Sequence, residues 1–273
     1  MTLGEVLRLA TKHLAKTSET ARLDAELLLA HALGRTRIEL YTDFDRPLDE
    51  PELAAYRRLV GRRARHEPVA YILGEWGFRR LTLQVDARAL IPRPETEIVV
   101  ERCLERLRGL ERPAVLDVGT GTGAIALAIA DEHEGSRVTA IDVSADALEL
   151  ARANVERTGH DIGLLQHDLR DGLPGGPYDL VVANPPYVDP ADLDGLMPDV
   201  REYEPHVALV GVEATEAIAR SALGVLRPSG WLVLEVGDGQ ARQTLELLQS
   251  LGYGDGVITR DLTGRERVVE GRR

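Results

Sequence analysis

From Ala114 onward, short apolar runs alternate with helical stretches, which restricts this part of the chain to an α/β fold. Strand-like runs occupy residues 114–118, 137–141, 163–166, 178–183 and 231–236. Helical patterns fill residues 124–132, 145–158 and 240–251, and a last pair of strands fits 257–260 and 267–270. Repeated β-α-β units demand a mostly parallel sheet with right-handed crossovers. The carboxyl edge of such a sheet is where open α/β folds bind ligands.

The N-terminal part has another character. Leu3, Val6, Leu7, Ala10 and Leu14 recur with helical period, as do Leu23, Leu27, Leu28 and Ala32, with Gly34 placed to end the second helix. Pro51, after Asp49 and Glu50, suits the first turn of a helix carrying Leu53, Tyr56, Leu59 and Val60. Tyr71-Ile72-Leu73-Gly74 and the two runs around Arg79-Arg80 read as a β-hairpin between domains. Pro92 and Pro94 then stiffen the chain, and Glu95 and Glu97 favour a helix just after them. The expected organisation is a helical bundle over 1–68, a hairpin linker over 69–92 and an α/β domain over 93–273.

The formal net charge is −12 over 273 residues, which disfavours wrapping by a polyphosphate. Arg57, Arg58, Arg62, Arg63, Arg65 and His66 form a local basic patch. Its simplest reading is a solvated helix face; the alternative is a docking surface for an acidic partner. The single cysteine, Cys103, permits no internal disulfide, and the seven histidines show no metal-ligand spacing, so no metal is expected. The run 124–130 is too short to span a bilayer, and Met1 to Glu5 lack the basic flank of a secretory signal. A cytoplasmic protein is expected, with nothing that demands more than a monomer.

Asp117-Val118-Gly119-Thr120-Gly121-Thr122-Gly123-Ala124 sits between a strand and a helix, where glycines let the backbone turn tightly and approach a ligand. Asp142 closes the next strand, 142 − 119 = 23 residues later, where a carboxylate can accept hydrogen bonds from ribose hydroxyls. This pair points to an adenosine-type cofactor, although Gly119, Gly121 and Ala124 also match the dinucleotide pattern. Asp117 favours S-adenosylmethionine, because its carboxylate can attract the methionine ammonium and would repel a pyrophosphate. Asp168, after the third strand, is expected to reach the adenine amino group.

Asn184-Pro185-Pro186-Tyr187 follows directly on the strand 178–183. The asparagine carbonyl and the Pro185 carbonyl can accept both hydrogens of a planar NH₂ group, and proline rigidifies that geometry. Such bonds pull the N–H groups out of plane and return electron density to a feeble nucleophile. Tyr187 offers a face for packing. This reasoning selects amino methylation and leaves adenine, cytosine and glutamine amides open as acceptors.

Taken together, these residues resemble the bacterial release factor glutamine methyltransferases, the HemK or PrmC family. The resemblance covers nearly the whole chain, including Glu67 to Gly74, Ile91 to Glu97, Asn184 to Tyr187, Tyr203-Glu204-Pro205, Glu235 to Gln240 and Asp261 to Arg267. The segment at 91–97 beside a helical N-terminal domain is its most specific part. The resemblance implies a class I, Rossmann-like methyltransferase domain with a seven-stranded sheet whose last strand is antiparallel. It implies a helical domain that grips the substrate, and as acceptor the side-chain nitrogen (N5) of the glutamine in the Gly-Gly-Gln loop of class I peptide chain release factors. By similarity, Gly119, Thr120, Gly121, Thr122, Gly123, Asp142 and Leu169 would contact S-adenosyl-L-methionine, with S-adenosyl-L-homocysteine as product. Asn184 would touch both cofactor and glutamine, and Pro185, Pro186 and Tyr187 would complete the glutamine pocket.

Two departures stand out. Leu169 takes a place where relatives can carry an aromatic residue, so adenine would be packed without stacking. Residues 210–215 replace a glycine-richer stretch, and this loop is expected to lie outside the pocket. The main rival acceptor is an adenine amino group in RNA or DNA. It predicts a basic cleft or an added recognition domain, neither of which is evident, so direct nucleic-acid contact is not expected. An NAD dehydrogenase leaves Asn184 to Tyr187 unexplained, and an inactive binding protein leaves the whole candidate site unexplained.

Overall fold

In the computed structural model, which describes residues 1–211 and 213–273, the chain forms two compact units. The first comprises Met1–Glu75 with Leu196–Tyr203, the second Trp76–Gly195 with Glu204–Arg273.

The first unit is helical: α1 (Leu3–Leu14), α2 (Ala21–Leu33), α3 (Arg37–Thr42), α4 (Glu50–Arg63), α5 (Val69–Leu73) and, from the later segment, α9 (Pro198–Tyr203). Thr2 and Glu5 form a reciprocal cap at α1, as Asp49 and Glu52 do at α4, so the orphan N–H groups of both first turns find acceptors. Leu3, Val6, Leu7, Ala10 and Leu14 are buried, as their spacing requires. The basic patch does not survive as one solvated face. Arg63 is buried and donates to Asp24 at 2.7 Å and to Asp199 at 3.4 Å, so it is a structural cation. Arg62 pairs with Glu67 and Arg57 with Glu50. Residues 69–73 are helical, and Gly74 ends that turn with φ 76°. The extended reading of this stretch is therefore corrected; the hairpin proper is β1 (Glu75–Phe78) with β2 (Leu81–Gln84).

The second unit continues with α6 (Glu97–Leu107), β3 (Ala114–Val118), α7 (Ala124–Glu132), β4 (Arg137–Asp142), α8 (Ala145–Thr158), β5 (Gly163–Gln166) and β6 (Tyr178–Ala183). It ends with α10 (Glu213–Val225), β7 (Leu226–Glu235), α11 (Ala241–Leu251), β8 (Gly254–Arg260) and β9 (Glu266–Arg272). Among the described residues these strands build one seven-stranded sheet of order β5-β4-β3-β6-β7-β9-β8. The first five are parallel, and β9 runs antiparallel to both β7 and β8. Alternation along the strands supplies two cores. Val115, Leu180 and Val182 pack with Val99, Cys103 and Leu127 on one face; Leu116, Val181 and Leu234 pack with Ile218, Ala222 and Leu248 on the other.

Strand order reverses at β3, whose neighbours are β4 and β6. The register pairs Val118 with Ile141 on one side and with Ala183 on the other. Three chain segments separated by dozens of residues thus leave the sheet at the same point: the glycine loop, Asp142 and Asn184. Strand β7 begins at Leu226, earlier than the apolar run suggests, because Pro228 and Gly230 lie at an irregular start where the register with β6 shifts.

Candidate functional site

The glycine loop turns sharply because Gly119 has φ 73° and Gly123 has φ 83°, values that L side chains rarely adopt. The N–H groups of Gly119 and Thr120 both donate to the Ile141 carbonyl, at 2.9 and 3.0 Å, which ties the loop to the end of β4. Asp142 holds the same corner: its carboxylate accepts from Gly121 N and Ser144 N, each at 2.9 Å. A third tie comes from the buried Asn154 of α8. Its Nδ2 donates to the carbonyls of Thr122 (2.9 Å) and Gln84 (3.0 Å), and its Oδ1 accepts from Gln84 N at 2.6 Å. Sequence reasoning passed over Asn154; the available signal was one polar residue among Ala147, Leu150 and Ala151 on the buried face of a helix.

A cleft of ≈ 340 Å³ opens at this edge. Of the residues singled out in the sequence, Gly119, Thr120, Gly121, Thr122, Asp142, Leu169, Asn184 and Pro186 line it. Others are placed elsewhere. Asp117 is fully buried, where Thr120 Oγ1 donates to its Oδ2 at 2.6 Å and Oδ1 has no hydrogen-bond partner among the described residues. Burial pushes its carboxyl up to about 7, against the opposing effect of the Thr120 bond. Gly123 packs on α7 and α8: an added Cβ would meet Leu127 at 3.3 Å and Ala151 at 3.5 Å. Asp168 is not among the lining residues; hydrogen bonds from the Arg170 side chain and backbone engage its carboxylate and hold it down at about 2. Pro185 is buried, and Tyr187 is half-buried with its carbonyl accepting from Gln240 Nε2 at 3.2 Å.

Two walls were unforeseen. Residues 88–93 and Thr96 line one side, so the proline-rich segment is part of the cleft as well as a connector. Pro205, Val207, Ala208, Val210, Gly211 and Ala214 line the other. The expectation that the 210–215 loop lies outside the pocket is thus overturned, with Val212 outside the described residues. The reason is a long-range tie: Val188 N donates to Leu209 O at 2.9 Å, which fastens this strap to the end of the Asn-Pro-Pro-Tyr segment. An ion pair between Arg93 and the buried Glu204 joins the two walls. Asn184 Nδ2 lies 3.4 Å from Thr96 Oγ1.

The family model described as PrmC N-terminal domain matches residues 5–74, and that described as methyltransferase small domain matches residues 96–197. A release factor glutamine methyltransferase of Geobacter sulfurreducens is 43% identical, over 99% of this chain and 96% of that protein. One from Rhodopirellula baltica is 42% identical, over 93% of this chain and 90% of that protein. The chain belongs to the release factor glutamine methyltransferases. A 16S rRNA N2 G1207 methyltransferase of T. thermophilus, solved with AdoMet and guanosine, shares the fold. Its TM-score is 0.54 at 19% identity, over 73% of this chain and 49% of that one.

The residues present fit S-adenosylmethionine, the methyl donor of this methyltransferase. A Cβ at Gly119 would project into open space within a cleft that has Asp142 at one strand end and apolar Ile141, Val143 and Leu169 beside it. Thr120 of the loop holds the buried Asp117 carboxylate, whose Oδ1 has no hydrogen-bond partner among the described residues. Among the described residues, no group of three or more His, Cys, Asp or Glu is placed to hold a metal ion, and no helix is long and apolar enough to cross a membrane.

Proposed function

We propose that this release factor glutamine methyltransferase methylates the side-chain amide nitrogen (N5) of the glutamine in the Gly-Gly-Gln loop of class I peptide chain release factors. S-adenosylmethionine supplies an electrophilic methyl group. Gly119, Thr120, Gly121, Thr122, Asp142 and Leu169 hold it, with Asp142 accepting from ribose hydroxyls and Asp117 offering a carboxylate to the ammonium. Asp168 is left out of this set, because Arg170 already engages its carboxylate. The single observation that carries the reading is the register Val118↔Ala183, which sets Asn184 beside the glycine loop at one cleft.

Asn184 Oδ1 and the Pro185 carbonyl accept the two hydrogens of the glutamine amide, and the buried Pro185 keeps the carbonyl fixed. Accepting both hydrogens favours a pyramidal nitrogen with an available lone pair, so the chain contributes chiefly position. Pro186 and Tyr187 close the pocket around the planar group. An N-methylated amide cation is a strong acid, and water accepts its proton. The helical region over residues 1–68, the larger part of the first unit, serves as the docking element for the protein substrate. The enzyme works as a cytoplasmic monomer without direct nucleic-acid contact.

The test is methyl transfer from labelled S-adenosylmethionine to a purified class I release factor, beside a variant with the Gly-Gly-Gln glutamine replaced. Label on the wild-type factor alone is expected. Label on RNA or DNA instead would keep the chemistry and overturn the acceptor.

A further inference from the structure

Gln240 immediately precedes α11, in a place where the activity described above gives it no task. The sheet explains its reach. Ala183 is paired with Leu234, so the segments that follow β6 and β7 leave the sheet side by side, Asn184 to Tyr187 from one and residues 236–240 from the other. Gln240 closes its own turn: its N–H donates to the Gly237 carbonyl at 3.2 Å, and its Oε1 accepts from Gly237 N at 3.0 Å. The other half of the amide crosses to the neighbouring strand end, where Nε2 donates to the Tyr187 carbonyl at 3.2 Å. Only this orientation of the amide satisfies both partners, because a backbone N–H only donates and a carbonyl only accepts. The next group along the chain, Val188 N, donates to Leu209 O at 2.9 Å.

From this arrangement we infer that Gln240 is a positioning residue, which sets where the Tyr187 ring stands in the acceptor pocket. The inference rests on the reading that Tyr187 closes that pocket. The carbonyl of Tyr187 and the N–H of Val188 belong to one planar peptide group. Gln240 holds one edge of this plane and Leu209 the other, which keeps it from turning about the bonds that flank it. On the preceding side, Pro185 and Pro186 restrict the chain. A backbone fixed on both sides gives the Tyr187 Cα–Cβ bond a single direction. Gly237 then receives the ring: a Cβ there would stand 3.0 Å from Tyr187 Cδ2, closer than ordinary contact. The turn that Gln240 closes thus pins the tyrosine backbone and also presents the bare surface on which the ring rests. Without the Nε2 donor, Val188 N alone would hold the plane, and the ring would lose its fixed place beside the acceptor amide. Neither Tyr187 nor Gln240 lines the cofactor cleft, so the effect belongs to the acceptor side.

The experiment measures kcat and KM for methylation of a purified class I release factor by the full-length protein, with calorimetric titration of S-adenosylmethionine. Gln240→Glu is the informative variant. Its carboxylate, ionised at neutral pH, still accepts from Gly237 N and has no hydrogen for Tyr187 O. Its kcat is expected to fall about 10-fold, the scale of a small misplacement at the reacting centre. KM for the release factor and cofactor affinity should each stay within about twofold, at full cofactor stoichiometry, which separates misplacement from a loss of folded enzyme. Tyr187→Ala should also lower kcat, and adding Gln240→Glu to it should cost less than about twofold more, because both changes act through one ring. Wild-type kcat in Gln240→Glu beside an impaired Tyr187→Ala would overturn the inference alone, as would a full additional loss in the double variant. Wild-type kcat in Tyr187→Ala, or no methylation of the release factor by the unaltered enzyme, would overturn the pocket reading on which the inference stands. Should Gln240→Glu bind no cofactor, Gln240→Met, uncharged and of similar length, is held to the same outcomes.

Discussion

Replacing Asn154 by alanine should destabilise the second unit more than any single exposed polar change. The side chain makes three hydrogen bonds, with Gln84 N at 2.6 Å, Gln84 O at 3.0 Å and Thr122 O at 2.9 Å, at a position with no solvent exposure. At about 1 kcal/mol for each lost bond, plus the cost of backbone groups left unpaired away from water, the loss comes to roughly 3–5 kcal/mol. For a unit of this size, about 2–4 °C per kcal/mol turns this into a fall in Tm of roughly 6–20 °C, readable by calorimetry or circular dichroism. Asn154→Asp is the sharper probe. It keeps an acceptor for Gln84 N and turns a carboxylate oxygen toward two carbonyls, so it should be no better than alanine. A Tm within about 2 °C of wild type for either variant would refute the claim that this amide clamps hairpin, helix and glycine loop together.

Burial holds Asp117 at about 7, above its ordinary 3.8, so the folded protein binds this proton more tightly than the unfolded chain. Stability should therefore decline as pH rises from about 4 to about 7 and level off above that. Asp117→Asn should remove this component, its advantage in chemical denaturation growing across the same window; parallel curves for both proteins would exclude the effect. A Cβ at Gly211 would lie 2.8 Å from Pro186 Cγ, whereas one at Gly195 meets nothing within 4 Å. Gly211→Ala should accordingly cut turnover several-fold while Gly195→Ala leaves it unchanged, and matching kinetics would remove the strap from the active site. Asp142→Ala strips the acceptor from Gly121 N and Ser144 N and should weaken S-adenosylmethionine binding by about 1–3 kcal/mol. Unaltered affinity by titration calorimetry would count against its ribose role.

What could be read in the sequence was what is local in it. The glycine loop and Asn184 to Pro186 each follow a strand and Asp142 closes one, and parallel pairing alone brings strand ends together. The seven-stranded sheet with an antiparallel last strand came from the family resemblance, and the strand pairing bears it out. What stayed hidden depends on partners distant in sequence. Asn154 reaches back 70 residues to Gln84, and Arg93 reaches Glu204 across 111. The strap over 205–211 has no periodicity of its own and becomes a wall only by bonding to Val188. Asp168 adds a short-range partner that its expected role did not include: Arg170, two residues on, engages the carboxylate. Arg63, one of a run of arginines, was indistinguishable from its neighbours until Asp24 and Asp199 appeared beside it.

That last pairing bears on how this protein can be recombined with its relatives. The helical unit is not a prefix: it contains Leu196–Tyr203, an excursion from the middle of the catalytic part of the chain. A chimera that takes only residues 1–75 from one enzyme and the remainder from another would leave Arg63 facing a foreign residue in place of Asp199, and Arg65 O without the Tyr203 hydroxyl that donates to it at 2.8 Å. Any exchange of the helical unit between lineages, in the laboratory or in evolution, must carry both pieces together or let them change in step.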